Sequence, residues 1–192
     1  MKSFLVASIS GAAFLFVGLL SPVIAAQNYS VTLYAGRVTS GELARPFRKD
    51  VKFVNAYIFV GALAWTAKRF MSEALSVELE GQIGKYAGDQ ENWEINLSIA
   101  GRWKRFPWKE KVNTSLAWGI GPSYATEVPQ VETALSGSSK QLLIYGFGEI
   151  TLGPPKSSWA GVLRLHHRSP GFGLLGTTGG LNTLAIGLKY FF

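Results

Sequence analysis

Cysteine is absent from the 192 residues of this chain, which excludes disulfide bonds and cysteine-ligated metal sites. Charged residues are also scarce, at 16% of the chain, against roughly 25% in an average soluble domain. Hydrophobic residues reach 47%, a content too high for a disordered chain. The body of the sequence nevertheless lacks any run of the roughly 18 uncharged apolar residues that a membrane-spanning helix needs. The apolar residues must therefore be distributed over shorter elements.

The N-terminal residues have the order of features expected of a signal peptide. Lys2 precedes a long apolar run, Pro22 interrupts that run, and two alanines follow. This order of basic, apolar and small residues is typical of a cleaved secretory signal, with an uncleaved anchor helix as the alternative. We expect residues 1–26 to be the signal peptide and residues 27–192 to form one domain.

The last segment of the chain alternates between apolar and mostly small or polar residues. Its apolar positions are Leu184, Ile186, Leu188, Tyr190 and Phe192. A two-residue period predicts a strand with one apolar face, and similar alternation begins near Leu75, Trp93 and Val112. A soluble sandwich would bury these faces in a core, whereas a membrane barrel would turn them toward lipid. The signal peptide and the aromatic final residue favour the barrel.

The sequence therefore predicts an all-β fold, an eight-stranded antiparallel transmembrane β-barrel in a bacterial outer membrane. The predicted strands are 28–37, 52–64, 74–85, 93–103, 112–123, 141–153, 158–169 and 181–192. An even number of strands places both termini in the periplasm. The periplasmic turns are then 65–73, 104–111 and 154–157, and the outward connections are 38–51, 86–92, 124–140 and 170–180. We expect interfacial aromatic girdles to include Trp93, Trp103, Trp118 and Trp159.

The interior of an eight-stranded barrel is filled by side chains, so an open pore is not expected. We predict an ionic, hydrogen-bonded network across it that includes Glu78, Glu80, Glu94, Arg102 and Arg164. The formal net charge is +7, but the basic residues form no long run or helical stripe of the kind that binds nucleic acid. A phosphate-rich membrane surface is the expected partner.

The only two histidines are adjacent, within Arg164-Leu165-His166-His167-Arg168-Ser169. Alternation along the strand directs His166 and Arg168 into the barrel, and His167 and Ser169 toward lipid. We assign His166 to the interior network. Because the two rings point to opposite faces, they cannot chelate one ion, and we expect no metal or organic cofactor.

The outward pair, His167 and Ser169, has the residue types of a serine hydrolase. Side chains two positions apart on one strand face can approach each other, and an imidazole can take the proton of an attacking serine hydroxyl. Asn182 has the same parity on the next strand, at the same end, and could orient His167. Simple contact with lipid headgroups at the membrane rim is the alternative role of these residues.

At these positions the chain resembles the lipid A 3-O-deacylase family of the PagL type. The resemblance covers the signal peptide, the eight-strand pattern, His167-Arg168-Ser169 and the strand ending at Phe192. It implies an outer-membrane esterase that releases a hydroxy fatty acid from position 3 of lipid A in lipopolysaccharide. Ser169 would be the nucleophile and His167 the general base.

The chain departs from that family at two positions. Asn182 stands where the family usually has the glutamate of the triad. Pro170 stands where the family usually has an asparagine that helps form the oxyanion hole, and proline has no backbone N–H. Gly171 or Gly173 would then supply the backbone donor. Two other functions stay open: a non-catalytic barrel that stabilises the membrane or binds a ligand through 38–51 and 124–140, and an acyltransferase in which a hydroxyl replaces water.

Overall fold

A computed structural model describes residues 27–40 and 52–192. The predicted signal peptide and residues 41–51 of the first outward connection lie outside the described residues. No helix in the described ranges is long and apolar enough to cross a bilayer.

The described residues form eight strands and one short helix. The strands are β1 (Tyr29–Ser40), β2 (Lys52–Phe70), β3 (Leu75–Gly88), β4 (Trp93–Trp103), β5 (Asn113–Ala125), β6 (Leu142–Gly153), β7 (Trp159–Ser169) and β8 (Leu181–Phe191), and helix α1 (Gln130–Ser136) lies between β5 and β6. Each strand pairs antiparallel with the next, and β8 pairs back with β1 to close the barrel. The predicted eight-stranded antiparallel barrel is confirmed.

The two faces of each strand have opposite chemistry, as β4 illustrates. Its inward residues, among them Glu94 and Arg102, are fully buried, whereas Leu97 and Ile99 on the outer face are more than half exposed. Exposed apolar side chains of this kind continue around the barrel on all seven other strands. Such a continuous apolar surface is incompatible with water and suited to hydrocarbon. The chain is therefore a transmembrane barrel of the outer-membrane type.

Strand β2 is six residues longer than the sequence predicted, so the predicted turn 65–73 is wrong. A bulge between Thr66 and Lys68 shifts the register against β3, and pairing then continues to Phe70 and Leu75. An extra residue in one strand interrupts the two-residue alternation, which is why the pattern stopped being recognisable after Ala64. The turn itself occupies only residues 71–74.

The predicted ionic network fills the barrel interior. Glu149 accepts hydrogen bonds from Arg102 Nη2 at 2.8 Å, from Arg164 Nε at 2.8 Å and from Lys189 Nζ at 2.5 Å. Arg164 also donates to Glu80 at 2.7 Å. The pair Arg102–Glu78, at 2.9 Å, extends the network toward the periplasmic end. Because each buried charge has a partner of opposite sign, the network avoids the large cost of an isolated buried ion.

His166 belongs to the same interior network, as predicted. Its Nε2 lies 2.8 Å from Glu94 Oε1, and its Nδ1 lies 2.9 Å from the Tyr34 hydroxyl. The ring is 1% exposed. His166 is thus held inside the barrel and separated from the outer wall by the strand itself.

Connection lengths give the barrel its orientation. Two of the three connections at the end that holds Tyr29 and Phe191 are short, 71–74 and 154–158, whereas 126–141 and 170–180 at the opposite end are long. Short turns face the periplasm in outer-membrane barrels and longer loops face outward. Trp103 and Trp159 lie at the periplasmic end and Trp93 at the outer end, whereas Trp118 is well inside β5 rather than at either end.

Candidate functional site

Strand β7 presents His167 and Ser169 on the outer wall, close to its outer end. Both side chains are partly exposed, whereas the neighbours His166 and Arg168 are buried in the lumen. The predicted faces of all four residues are therefore confirmed. This strand end lies at the level of the outer leaflet, because β7 runs from the periplasmic side outward.

Strand β8 brings Asn182 against His167. The two residues are direct cross-strand partners, and His167 Nδ1 lies 2.8 Å from Asn182 Oδ1. Because a carboxamide oxygen can only accept, the ring donates its Nδ1–H to Asn182. In the neutral ring, Nε2 then carries the lone pair, and this is the atom that would take a proton from a serine hydroxyl.

Ser169 is close to His167 in sequence and on the same face, but the two side chains are not hydrogen bonded to each other in the described residues. Ser169 Oγ instead accepts a long hydrogen bond, 3.5 Å, from the backbone N–H of Gly171. Long or absent contacts between nucleophile and base are common before a substrate binds. A rotation of the serine side chain would be needed to complete the pair.

The chain turns in a left-handed sense directly after Pro170. Gly171, Phe172 and Gly173 have φ values of 62°, 57° and 87°, and the turn is closed by the Leu175 N–H, which donates to Pro170 O at 3.1 Å. Successive backbone N–H groups in such turns form concavities that attract anions. The segment that follows the nucleophile candidate therefore brings backbone donors near Ser169, with Gly171 N–H nearest.

Two large apolar side chains of this turn project away from the protein. Phe172 is fully exposed, and Leu174 is 83% exposed. Phe172 also holds a positive φ without being glycine, which costs roughly 1–2 kcal/mol. A strained, outward-pointing phenylalanine at this level is expected to enter the lipid boundary beside the site.

Arg168 fixes the outer end of β7 from the inside. Its guanidinium donates to Ser123 Oγ at 2.8 Å, to Glu132 at 2.6 Å and to the Gln141 carbonyl at 2.9 Å. Burial raises the pKa of the Glu132 carboxyl above its usual range. As the pH falls, Glu132 is therefore protonated at a higher pH than an exposed glutamate, which weakens this ion pair. Arg168 thus connects the strand that carries the candidate pair to helix α1.

The two outward loops are also joined directly. Ser138 Oγ lies 2.8 Å from Thr177 Oγ1, and Lys140 Nζ donates to Leu175 O at 2.6 Å. Neither helix α1 nor these contacts was predicted, because the segment is too short for a periodic pattern and polar loop contacts leave no pattern in sequence. Together they hold residues 170–180 against the loop after β5.

An apolar groove of about 350 Å³ lies on the outer wall between β5, β6 and Leu175 of the loop after β7. Its lining includes Ile120, Pro122, Leu142, Ile144 and Leu175. Ile144 is the cross-strand partner of Ser169, and Gly146 that of His167. The glycine leaves the side of the imidazole that faces β6 uncovered.

Among the residues that the structure describes, no acid takes the place of Asn182 beside His167. Glu149 is the nearest acid on β6, but it lies on the inner wall and is fully engaged by the interior cations. The described residues contain no group of three or more His, Asp or Glu side chains that could hold a metal ion. The candidate triad therefore consists of Ser169, His167 and Asn182, in which His167 is hydrogen bonded to Asn182 and Ser169 is not hydrogen bonded to His167.

Comparison with known proteins identifies the fold. No protein-family model matches the sequence, and no curated protein matches it significantly. Among solved structures, the outer membrane enzyme PagL matches with a TM-score of 0.61 at 12% identity, covering 84% of this chain and 98% of that one. Neisserial surface protein A matches with a TM-score of 0.51 at 11% identity, covering 85% and 97%. The chain shares its fold with eight-stranded outer-membrane barrels, of which at least one is an enzyme.

Proposed function

We propose that this barrel is an outer-membrane esterase that removes an ester-linked hydroxyacyl chain from lipid A. The observation that carries the proposal is the hydrogen bond from His167 Nδ1 to Asn182 on the lipid-facing wall. A histidine ordered in this way, with Ser169 two residues further on, has little structural value where its neighbours contact hydrocarbon. Polar side chains at such positions cost free energy, so their presence favours a function.

The proposed reaction begins at Ser169. Ser169 Oγ attacks the ester carbonyl carbon while His167 Nε2 takes the hydroxyl proton, and Asn182 holds the ring through Nδ1. The backbone N–H of Gly171 stabilises the negative charge that develops on the carbonyl oxygen. His167 then returns the proton to the sugar oxygen as the ester C–O bond breaks. Water, activated by the same ring, hydrolyses the acyl-Ser169 intermediate and releases the fatty acid.

The surroundings of the pair suit a lipid substrate. The apolar groove beside Ser169 opens onto the outer leaflet, which holds the ester-linked chains of lipopolysaccharide in a bacterial outer membrane. Its volume falls within the range of roughly 300–1,000 Å³ of small-molecule sites. An acyl chain lying in this groove would bring its ester carbonyl to Ser169.

The test is mass spectrometry of lipid A from cells that express the full chain, beside Ser169→Ala and His167→Ala variants. We expect wild type to remove one hydroxyacyl chain and each variant to lose about a thousandfold or more in rate. Gel mobility with and without heating serves as the folding control for all three proteins. Release of free fatty acid indicates hydrolysis, whereas transfer of the chain to another lipid indicates acyl transfer.

A non-catalytic barrel is the second candidate, favoured by the missing Ser169–His167 hydrogen bond and by Pro170, which lacks an N–H. Unchanged lipid A in all three strains, with each barrel folded in the membrane, would support this second function. Deletions in 124–140 would then be the informative variants.

A further inference from the structure

The periplasmic end of the barrel carries most of the charge imbalance of the chain. Two acidic residues, Glu73 and Glu110, stand against seven basic ones at this end: Lys68, Arg69, Lys104, Arg105, Lys109, Lys111 and Lys156. At the outer end, the described cations Arg37, Lys52, Lys85 and Lys140 are nearly balanced by Asp89, Glu91 and Glu127. Residues 41–51, outside the described ranges, contain three basic and two acidic residues. The excess positive charge therefore faces the periplasm.

Six of these cations form one surface, here called the basic rim: Lys68, Arg69, Lys104, Arg105, Lys109 and Lys111. The turn after β2 and the loop after β4 are joined within it. The Lys104 backbone N–H donates to Ala74 O at 2.8 Å, and Arg105 Nη2 donates to Met71 O at 2.8 Å. The rim is thus a built surface on the β2–β5 side rather than charges scattered around the barrel.

Three of the four lysines of the rim are accessible to a ligand. Arg69 donates to Asn28 and to Gln27 O, and Arg105 holds the turn after β2. Burial lowers the pKa of Lys104. In contrast, Lys68, Lys109 and Lys111 are exposed, and the ion pair of Lys109 Nζ with Glu110 Oε1 is long, at 3.9 Å, and open to solvent.

Apolar side chains are interleaved with these cations. Met71 is 59% exposed and Trp108 is 49% exposed. Phe106 lies 5.3 Å from Trp108 between ring centroids, and Lys68 Nζ lies 5.1 Å from the centre of the Phe70 ring. A soluble acidic ligand would need the cations alone. Exposed aromatic and thioether groups at the same level, where the strands leave the bilayer, require a partner that offers hydrocarbon beside its negative charge.

We propose that the basic rim binds anionic phospholipid of the inner leaflet, with phosphates on Lys68, Lys109 and Lys111 and the upper acyl chains against Met71, Phe106 and Trp108. This site is separate from the candidate catalytic site, which lies at the opposite end of the barrel. It would give the protein an annulus of anionic lipid on the β2–β5 side, independent of any catalysis at Ser169.

The experiment uses the full chain, folded in a neutral detergent and titrated with phosphatidylglycerol or with phosphatidylcholine of the same acyl chains. Native mass spectrometry counts the lipids retained. The test variant is Lys68→Gln, Lys109→Gln and Lys111→Gln combined. The matched control is Lys52→Gln, Lys85→Gln and Lys140→Gln, which removes the same charge from the outer end. Gel mobility with and without heating confirms that all proteins are folded.

We expect wild type and control to retain phosphatidylglycerol about tenfold more strongly than phosphatidylcholine, and the rim variant to lose that preference. Raising salt should weaken it too, because exposed charges are screened. Equal retention of the two lipids by wild type, or equal loss in both variants, would overturn the proposal. So would displacement of the lipid by millimolar glycerol 3-phosphate, since the ligand would then be a phosphate and not a lipid.

Discussion

At the scale of single residues, Asn182 is the position where this site departs most in chemistry from a charged triad. The amide accepts the Nδ1–H of His167 and so fixes the tautomer. It adds no negative charge to stabilise the imidazolium that forms when Ser169 is deprotonated. Orientation without charge predicts an active but slow enzyme.

Asn182→Asp should therefore raise the rate. The aspartate keeps the accepting oxygen and adds a carboxylate beside the ring, so we expect kcat for hydroxyacyl release to increase on the order of tenfold. Asn182→Leu, which removes the acceptor, should lower it by a similar factor. The measurement is single-turnover release of fatty acid from purified lipopolysaccharide. An Asp variant no faster than wild type, with its barrel folded, would mean that Asn182 does not act through His167.

The alternation of side chains along two strands was enough to predict from the sequence that these residues share one face. The alternation of β7 and β8 places His167, Ser169 and Asn182 on one face, and the register pairs His167 with Asn182. Whether Ser169 engages the ring depends on a side-chain rotation that no pattern encodes. The anchoring of Arg168 by Glu132 could not be predicted either, since it depends on a seven-residue helix in a segment without periodicity.

At the scale of elements, the loop after β7 joins the site to the membrane. Phe172 and Leu174 project from a left-handed turn that begins immediately after the nucleophile candidate. The same turn is held by the loop after β5 through Lys140 and Ser138. Because the turn is anchored on one side and apolar on the other, we expect it to hold the candidate site at the depth of the outer leaflet.

Replacing both apolar side chains, as Phe172→Ser with Leu174→Ser, should separate membrane positioning from chemistry. Each apolar side chain that enters lipid contributes about 1.5–3 kcal/mol, so we expect at least about tenfold slower deacylation of lipopolysaccharide in vesicles. Hydrolysis of a short, water-soluble ester should be unchanged, because Ser169 and His167 are untouched. Leu135→Ser, an exposed leucine in α1, is the matched control. Equal loss on both substrates would indicate that the turn shapes the catalytic site instead.

Strand prediction was limited by bulges more than by composition. Where alternation is unbroken, as from Trp93 to Trp103, the predicted and observed bounds of the strand coincide. Where an extra residue enters near Ala67, the pattern changes phase and the last six residues of β2 were missed. The physical reason is that side-chain direction depends on pairing with β3, which the local sequence does not contain.

At the scale of the whole molecule, the outer wall is apolar whereas the lumen is filled by charged side chains. The outer wall presents apolar side chains to the lipid hydrocarbon. The lumen is crossed by charges that connect distant strands: Glu149 of β6 receives Arg102 of β4, Arg164 of β7 and Lys189 of β8. One carboxylate thus connects four strands of the closed sheet, β4, β6, β7 and β8.

Glu149→Gln should therefore destabilise the barrel as a whole rather than at one strand. It leaves three buried cations sharing fewer negative charges, and breaking a buried ion pair from one side costs about 3–5 kcal/mol. We expect a loss of that size in the free energy of unfolding in urea, followed by tryptophan fluorescence in lipid vesicles. Glu110→Gln, at an exposed residue, should change it by less than about 0.5 kcal/mol.

Adding Lys189→Met to Glu149→Gln should recover part of that loss, because it removes one of the cations left without a partner. The two substitutions would then be strongly non-additive, as expected for groups in one network. Additive losses would mean that the cations find other acceptors, such as Glu80 or Glu78, and that the interior charges contribute independently. Since the candidate site lies on the opposite face of β7 from Arg164, a barrel that stays folded in either variant should retain the proposed esterase activity.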